Sequence, residues 1–203
     1  MGETKLGLGY NDIKLNNQES PNGSKALTTE QFVNLGFMKK VDKTFSFGFS
    51  LEYKQQDSKL EITDDGDNAD ATVITLQHDM KAKFLGATNA IRFKYGTVDA
   101  VGKYKDTTNI YGSFKQSFKF GNIKPSWSYI YKQTDYTTKD DRLSTVDGSN
   151  LYKNIATTSV KLGYQLVKTI TLALEYKNKK QESNVQSYNY ENNSQIISFT
   201  QMF

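Results

Sequence analysis

The chain holds few of the residues that ordinary active sites are built from. It has no cysteine, and His78 is the one histidine in 203 residues. Thiol nucleophiles, thiolate metal sites and disulfide frameworks are therefore absent. Proton transfer at neutral pH relies on imidazole more than on any other side chain. His78 shares its alternating parity with Ile74, Leu76, Met80 and Ala82. On a strand that parity sets it among apolar neighbours, and only a register bulge would turn it toward Asp79 or Gln77. No catalytic residue, no metal and no cofactor is expected.

Other clusters could bind rather than react. Asp64, Asp65, Asp67 and Asp70 crowd one segment, and Lys139, Asp140, Asp141, Arg142, Leu143 and Asp147 another. A hard cation needs several converging oxygens, but the glycine and final-glutamate spacing of an EF-hand is missing, so solvated charged loops are the plainer reading. Lysines and aromatics interleave at Tyr111, Phe114, Lys115, Phe118 and Lys119, as on a single-strand nucleic-acid platform. On a strand the two phenylalanines and the two lysines point to opposite faces, so no nucleic-acid partner is expected. The charge balance agrees: 26 Lys and Arg against 22 Asp and Glu leave +4, without the like-charge run of a polyanion-binding arm.

The elements that position these residues follow from a period of two. Phe45, Phe47, Phe49, Leu51 and Tyr53 alternate with Ser46, Gly48, Ser50, Glu52 and Lys54, the signature of a two-faced strand. Ile170, Leu172, Leu174 and Tyr176 alternate with Thr171, Ala173, Glu175 and Lys177; Ile123, Pro125, Trp127, Tyr129 and Tyr131 alternate with Lys124, Ser126, Ser128, Ile130 and Lys132. Two prolines against 13 tyrosines and 12 phenylalanines suit pleated strands. Ten strands are predicted, at about 3–16, 28–41, 44–61, 71–85, 88–98, 108–120, 123–137, 151–166, 169–182 and 189–203, with eight or twelve as alternatives because the first strand and 97–108 are the least periodic. Tight connections at Val41–Lys43, Leu85–Ala87, Gly121-Asn122 and Val167-Lys168 alternate with longer polar ones. No linker or repeat divides the chain, so residues 1–203 form one domain.

Alternation does not say which face is outside. A soluble sandwich buries its apolar face, whereas a membrane barrel turns it to lipid. Strands of 13 or more residues exceed the globular norm of about 5–6 and suit a tilted crossing of roughly 9–11 residues plus overhang. Short and long connections at opposite ends fit the same layout. Phe37, Phe45, Phe84, Phe118 and Phe120 lie toward the tight turns, and Tyr53, Tyr131, Tyr152 and Tyr176 toward the long loops, as in two interfacial girdles. Mean hydropathy is −0.65 and no apolar run approaches the roughly 18 residues of a spanning helix, which excludes spanning helices but not spanning strands, whose polar halves cancel their apolar ones. The reading is an all-β, transmembrane, antiparallel up-and-down barrel.

The last ten residues, Ser194-Gln195-Ile196-Ile197-Ser198-Phe199-Thr200-Gln201-Met202-Phe203, resemble the C-terminal strand of bacterial outer-membrane β-barrel proteins of the small porin-like type. Phe203, Phe199 and Ile197 fit that pattern; Gln201 departs from it, since an apolar or aromatic residue is more usual there. The resemblance implies a Gram-negative outer-membrane location, termini in the periplasm, and an assembly signal at Phe203 and Phe199 that the barrel-assembly machinery reads. It also implies lipid and lipopolysaccharide as surroundings, and a leader removed ahead of Met1-Gly2-Glu3, which has neither a basic nor an apolar leader region.

With the apolar face outward, the interior takes the other parity. Its charged lining is expected to be Lys54, Lys81, Arg92, Lys94, Lys115, Lys132, Lys161 and Lys177 against Glu52, Asp79 and Glu175, with Lys40, Lys83, Lys119 and Lys124 nearer the rim. An excess of cations on a low-dielectric wall concentrates anions. The expected function is a narrow channel for small anionic solutes, loosely similar to small porins that admit acidic oligosaccharides. The alternative is a non-conducting structural or surface-interaction barrel, since at ten strands side chains can fill the lumen. Small barrel enzymes exist in this architecture, but His78 is poorly placed for one.

Overall fold

The computed structural model describes residues 2–19, 25–58, 68, 70–146, 148–167 and 169–201. Ten strands carry the chain: β1 Gly2–Glu19, β2 Lys25–Lys40, β3 Phe45–Ser58, β4 Ala71–Phe84, β5 Ala87–Ala100, β6 Thr107–Phe118, β7 Ile123–Tyr136, β8 Tyr152–Val167, β9 Ile170–Ser183 and β10 Tyr190–Gln201. They form one antiparallel, up-and-down sheet in the order β1 to β10, each strand paired with the next in sequence. Among the described residues no ladder joins β1 to β10, so the sheet is open along these two edges. The described helix is limited to single 3-10 turns at Lys103–Lys105 and Gln186–Tyr188. Among the described residues no helix is long and apolar enough to cross a membrane.

The register is unbroken through β2–β8, and slips appear only between Lys14 and Glu19 in β1 and between Gln165 and Val167 in β8. Alternation therefore becomes a property of the whole sheet. Leu35, Leu51, Leu76 and Tyr95 lie abreast across four strands on one side, and Gly36, Ser50 and Gln77 on the other. Burial then departs from that of a soluble fold. Buried apolar residues are confined to Ala87, Leu151, Ala173 and Val185, and no large side chain is fully buried among the described residues. Leu35, Leu51, Leu76, Leu162 and Leu174, on one face, are each about half exposed (47 to 54%), while Asn34, Ser50, Glu52, Thr75 and Lys177, on the polar face, are more covered. The polar face is thus the more sheltered of the two, although Lys40, Lys81, Lys83, Arg92, Lys115 and Lys132 on it are exposed.

The tight turns are set by local chemistry. Leu85 and Gly86 both have positive φ, 50° and 73°, the pairing that suits the twist of a two-residue hairpin loop. Leu85 accepts about 1–2 kcal/mol of left-handed strain there. In the 41–44 turn Asp42 Oδ1 accepts from the amides of Thr44 (2.5 Å) and Phe45 (2.8 Å) and from the Thr44 hydroxyl (2.6 Å).

The long connections lie at the other end of the sheet and lace into one another. The amides of Val101 and Gly102 donate to the carbonyls of Asp70 and Asn68, and Asp106 Oδ1 accepts from the Ala100 amide at 2.7 Å. The Thr137 amide donates to the Asp106 carbonyl. Asn184, 4% exposed, ties the last two loops: its amide group donates to Ser149 Oγ and the Asn150 carbonyl, its Oδ1 accepts from the Tyr152 amide, and its carbonyl from the Val146 amide. Tyr104 packs under the Arg142 guanidinium at 4.7 Å, closing a further link between loops.

The three donors to Asp42 hold its carboxyl below the usual carboxylate value, the Thr44 hydroxyl contributing most. A lowered native pKa adds stability above the unfolded pKa of about 3.9, which is lost as pH falls through the native value. Thermal unfolding should show a small drop in Tm below about pH 4 that Asp42→Ala reduces while lowering Tm at neutral pH.

Candidate functional site

The polar face is built by the same registers. Glu52 and Lys54 on β3, Asp79 and Lys81 on β4, Arg92 and Lys94 on β5, Lys115 on β6, Lys132 on β7, Lys161 on β8, and Glu175 and Lys177 on β9 all point to this side. The pairs Glu52↔Thr75, Asp79↔Arg92, Lys94↔Tyr111, Ala90↔Lys115, Tyr111↔Lys132, Lys161↔Glu175 and Ser159↔Lys177 carry the parity from strand to strand. All eleven predicted lining residues thus share one face. The same ladders add others that the sequence reading left out: Glu3 on β1, paired with Met38, Glu30 on β2, paired with Gln56, and Lys153 and Lys179, paired with Ser183 and Thr157. The face also carries Phe32, Val73, Val98, Tyr111, Ile130 and Ile155, so it is amphiphilic rather than wholly polar.

Charges on this face are organised along the strands. Toward the long loops, Lys54, Lys94, Lys153 and Lys179 have partners, while Lys132, abreast of Tyr111, has none among the described residues. Lys54 Nζ meets Glu30 Oε1 at 2.7 Å, both largely covered, and Lys94 stands 6.0 Å from the Tyr111 ring centroid. Lys153 lies over Tyr188 at 4.5 Å and Tyr136 at 5.5 Å, and Lys179 over Tyr190 at 5.3 Å. Midway, Arg92 Nε bonds Asp79 Oδ1 at 2.6 Å, and Gln77 Nε2 donates to the other carboxylate oxygen. Ser128 and Ser159 share a hydrogen bond at 2.8 Å. Toward the tight turns, Lys40, Lys81, Lys115, Lys119 and Lys124 have no carboxylate within 4.0 Å among the described residues.

Two concavities open on this cationic end. One, of about 500 Å³, is lined by Lys40, Ser46, Asp79, Lys81, Arg92, Ser113 and Lys115 with apolar neighbours. The other, of about 410 Å³, is lined by Lys115, Lys119, Lys124, Lys161 and hydroxyls of Thr88, Ser117, Ser126 and Ser198. Lys115 belongs to both. Such a surface attracts anions and orients their oxygens through ammonium and hydroxyl donors.

The opposite face settles several other expectations. His78 stacks on Phe49, ring centroids 4.2 Å apart and planes 6° from parallel, and it pairs with Phe93 in an unshifted register. It lies across the sheet from Asp79 and Gln77. Phe114 pairs with Ile91 and Tyr129 on this apolar face and Lys115 with Ala90 and Ser128 on the polar one, so lysines and phenylalanines do not form one stacking platform. Trp127 Nε1 donates to Gln116 Oε1 at 2.9 Å, and Gln116 Nε2 to Asn89 Oδ1 at 2.9 Å. This chain lets three polar groups occupy the apolar face with partners. It was hidden in the sequence because the three residues lie on three strands.

Phe199 is 61% exposed on the apolar face, paired with Leu172; Phe203 lies outside the described residues, as do Asp64, Asp65, Asp67 and Asp147. Asp140 is gripped by Arg142 at 2.7 Å and 2.8 Å, which ties the second acidic loop to its own guanidinium. Among the described residues no group of three or more His, Cys, Asp or Glu is arranged to hold a metal ion. No family model matches the chain, and neither does any curated protein.

The Asp79–Arg92 pair is part-exposed, with 31% and 46% of the side chains accessible. Pairs at such sites couple by about 0.2–1 kcal/mol. A double-mutant cycle on Asp79→Ala and Arg92→Ala, read by urea unfolding, should give a coupling below about 1 kcal/mol, marking the pair as an organiser of the surface more than a source of stability.

Proposed function

We propose that the chain is a bacterial outer-membrane β-barrel that conducts small anions through a narrow lumen. The carrying observation is the placement of side chains: a broad belt of Leu, Ile, Phe and Tyr faces out while lysine, serine and threonine face the sheltered side. In water such a belt is an exposed apolar surface of the kind soluble monomers keep small. In hydrocarbon it is the favourable arrangement.

Closure follows from the same solvent. Open edges on β1 and β10 would leave rows of backbone N–H and C=O groups without partners, at several kcal/mol each in lipid. β1 starts and β10 ends at the tight-turn side, since Gly2 pairs with Lys39 and Gln201 with Ile170. Joining them therefore adds one more antiparallel ladder. The chain has no cysteine, which makes a crosslinking test clean. Single cysteines at Gly7 or Gly9 with a second at Ser198 or Thr200, oxidised in folded protein, should give an intramolecular disulfide for at least one pair. Exclusively intermolecular products would replace closure by edge-to-edge pairing of two chains.

The excess of cations on the inner face supports an anionic preference. From β2 to β10 the face bears Lys40, Lys54, Lys81, Lys83, Arg92, Lys94, Lys115, Lys124, Lys132, Lys153, Lys161, Lys177 and Lys179 against Glu30, Glu52, Asp79 and Glu175, with Glu3 added by β1. Planar-bilayer recording across a potassium chloride gradient should show discrete steps with a reversal potential of anion-selective sign. A cation-selective sign refutes the preference, and the absence of steps from folded, inserted protein favours the non-conducting barrel.

A further inference from the structure

Resting on the pore reading above, we infer that the tight-turn end of the sheltered face is a binding site for multiply charged oxyanions of the phosphate or sulfate type, and that the long-loop end is not. Both ends are rich in lysine, but the unpaired ones cluster at one. Outside that cluster Lys132, abreast of Tyr111 toward the long loops, and Lys177 at mid-strand also lack an ion-pair or ring partner among the described residues. At the long-loop end the ammonium groups of Lys54, Lys94, Lys153 and Lys179 are committed to Glu30 or to the faces of Tyr111, Tyr136, Tyr188 and Tyr190. At the tight-turn end Lys40, Lys81, Lys115, Lys119 and Lys124 have neither an ion-pair partner nor a ring contact among the described residues.

The carboxylates that share this face reinforce the division. Asp79 is occupied by Arg92 and Gln77, and Glu175 stands opposite Lys161 on the neighbouring strand. Glu30 and Glu52 lie farther toward the long loops; Glu3, opposite Met38, is the exception, a carboxylate at the tight-turn end on the edge strand β1. The five lysines thus surround two adjoining concavities of about 500 and 410 Å³ that meet at Lys115, a size in the range of small-ligand sites. A singly charged ion meets one or two of them at a time. A linear anion carrying several phosphate or sulfate groups spans the pair, and each ammonium it reaches adds a charge-assisted hydrogen bond. Ser46, Ser113, Ser117 and Ser126 supply neutral donors between the charges.

Inorganic tripolyphosphate is the probe, titrated calorimetrically into the folded full-length protein in detergent at low salt. The triple variant Lys40→Gln, Lys81→Gln, Lys115→Gln should bind at least about tenfold more weakly, whereas Lys94→Gln, Lys153→Gln, Lys179→Gln should change affinity less than about threefold, as expected for charges that are free at one end and engaged at the other. Restoring Lys115 as arginine in the first variant should recover part of the loss, and unchanged far-ultraviolet dichroism shows that the variants fold. Equal losses in the two triple variants, or no tripolyphosphate binding by the parent, overturn the site. An anion-selective channel whose tripolyphosphate affinity ignores the first variant rejects this site but keeps the pore. Localised binding without conductance rejects the pore but keeps the site.

Discussion

A single curled sheet with no apolar interior must place its large hydrophobic side chains somewhere, and here they stand on the exposed side. Every other property of the molecule follows from that constraint. Two stacked sheets would bury Leu35, Leu51, Leu76, Leu162 and Leu174 between layers; one sheet has no second layer to offer. The ladder supplies backbone hydrogen bonds within the sheet regardless of solvent, but it contributes no apolar burial. The side chains of this face are therefore left to whatever covers the sheet from outside, since the sheet itself gives them no apolar interior.

Much of this was legible in the sequence because period two is a strict geometric rule. All ten predicted strands appear, mostly within one to three residues of their predicted bounds, and the alternation of tight and long connections is retained. Register then propagates parity from strand to strand without loss, so a face assigned from Phe45–Tyr53 alone predicts the faces of the β4 and β5 residues abreast of it. The first connection was the largest error: β1 and β2 pair farther than their periodicity indicated, up to Glu19 and Lys25 after a register shift. Backbone pairing there continues where the side-chain pattern has lapsed.

What parity alone could not supply was partnership. The sequence places Lys54, Lys94 and Lys115 on one face as equivalents, yet their circumstances differ because Glu30 and Tyr111 belong to neighbouring strands at particular heights. Glu30 shares its parity with Lys40 and was legible in principle; its role was not, since it depends on the β2–β3 stagger that sets Gln56 opposite it. The Asn89–Gln116–Trp127 chain is a similar case. Read singly, Asn89 and Gln116 weaken the apolar pattern of two strands; read across the sheet, they satisfy one another and the indole.

The two ends of the sheet differ in how they spend their polar groups, and that difference has a physical origin in connection length. A two-residue turn such as Leu85-Gly86 has no side chains to spare for the strands that flank it, so lysines near it face only one another and solvent. Long connections can fold back. Asn184 is buried under its neighbours, Tyr104 and Arg142 clasp two loops, and Tyr188 reaches Lys153. The long-loop end therefore engages most of its cations and acquires a defined shape, while the tight-turn end leaves a cluster of lysines without partners among the described residues.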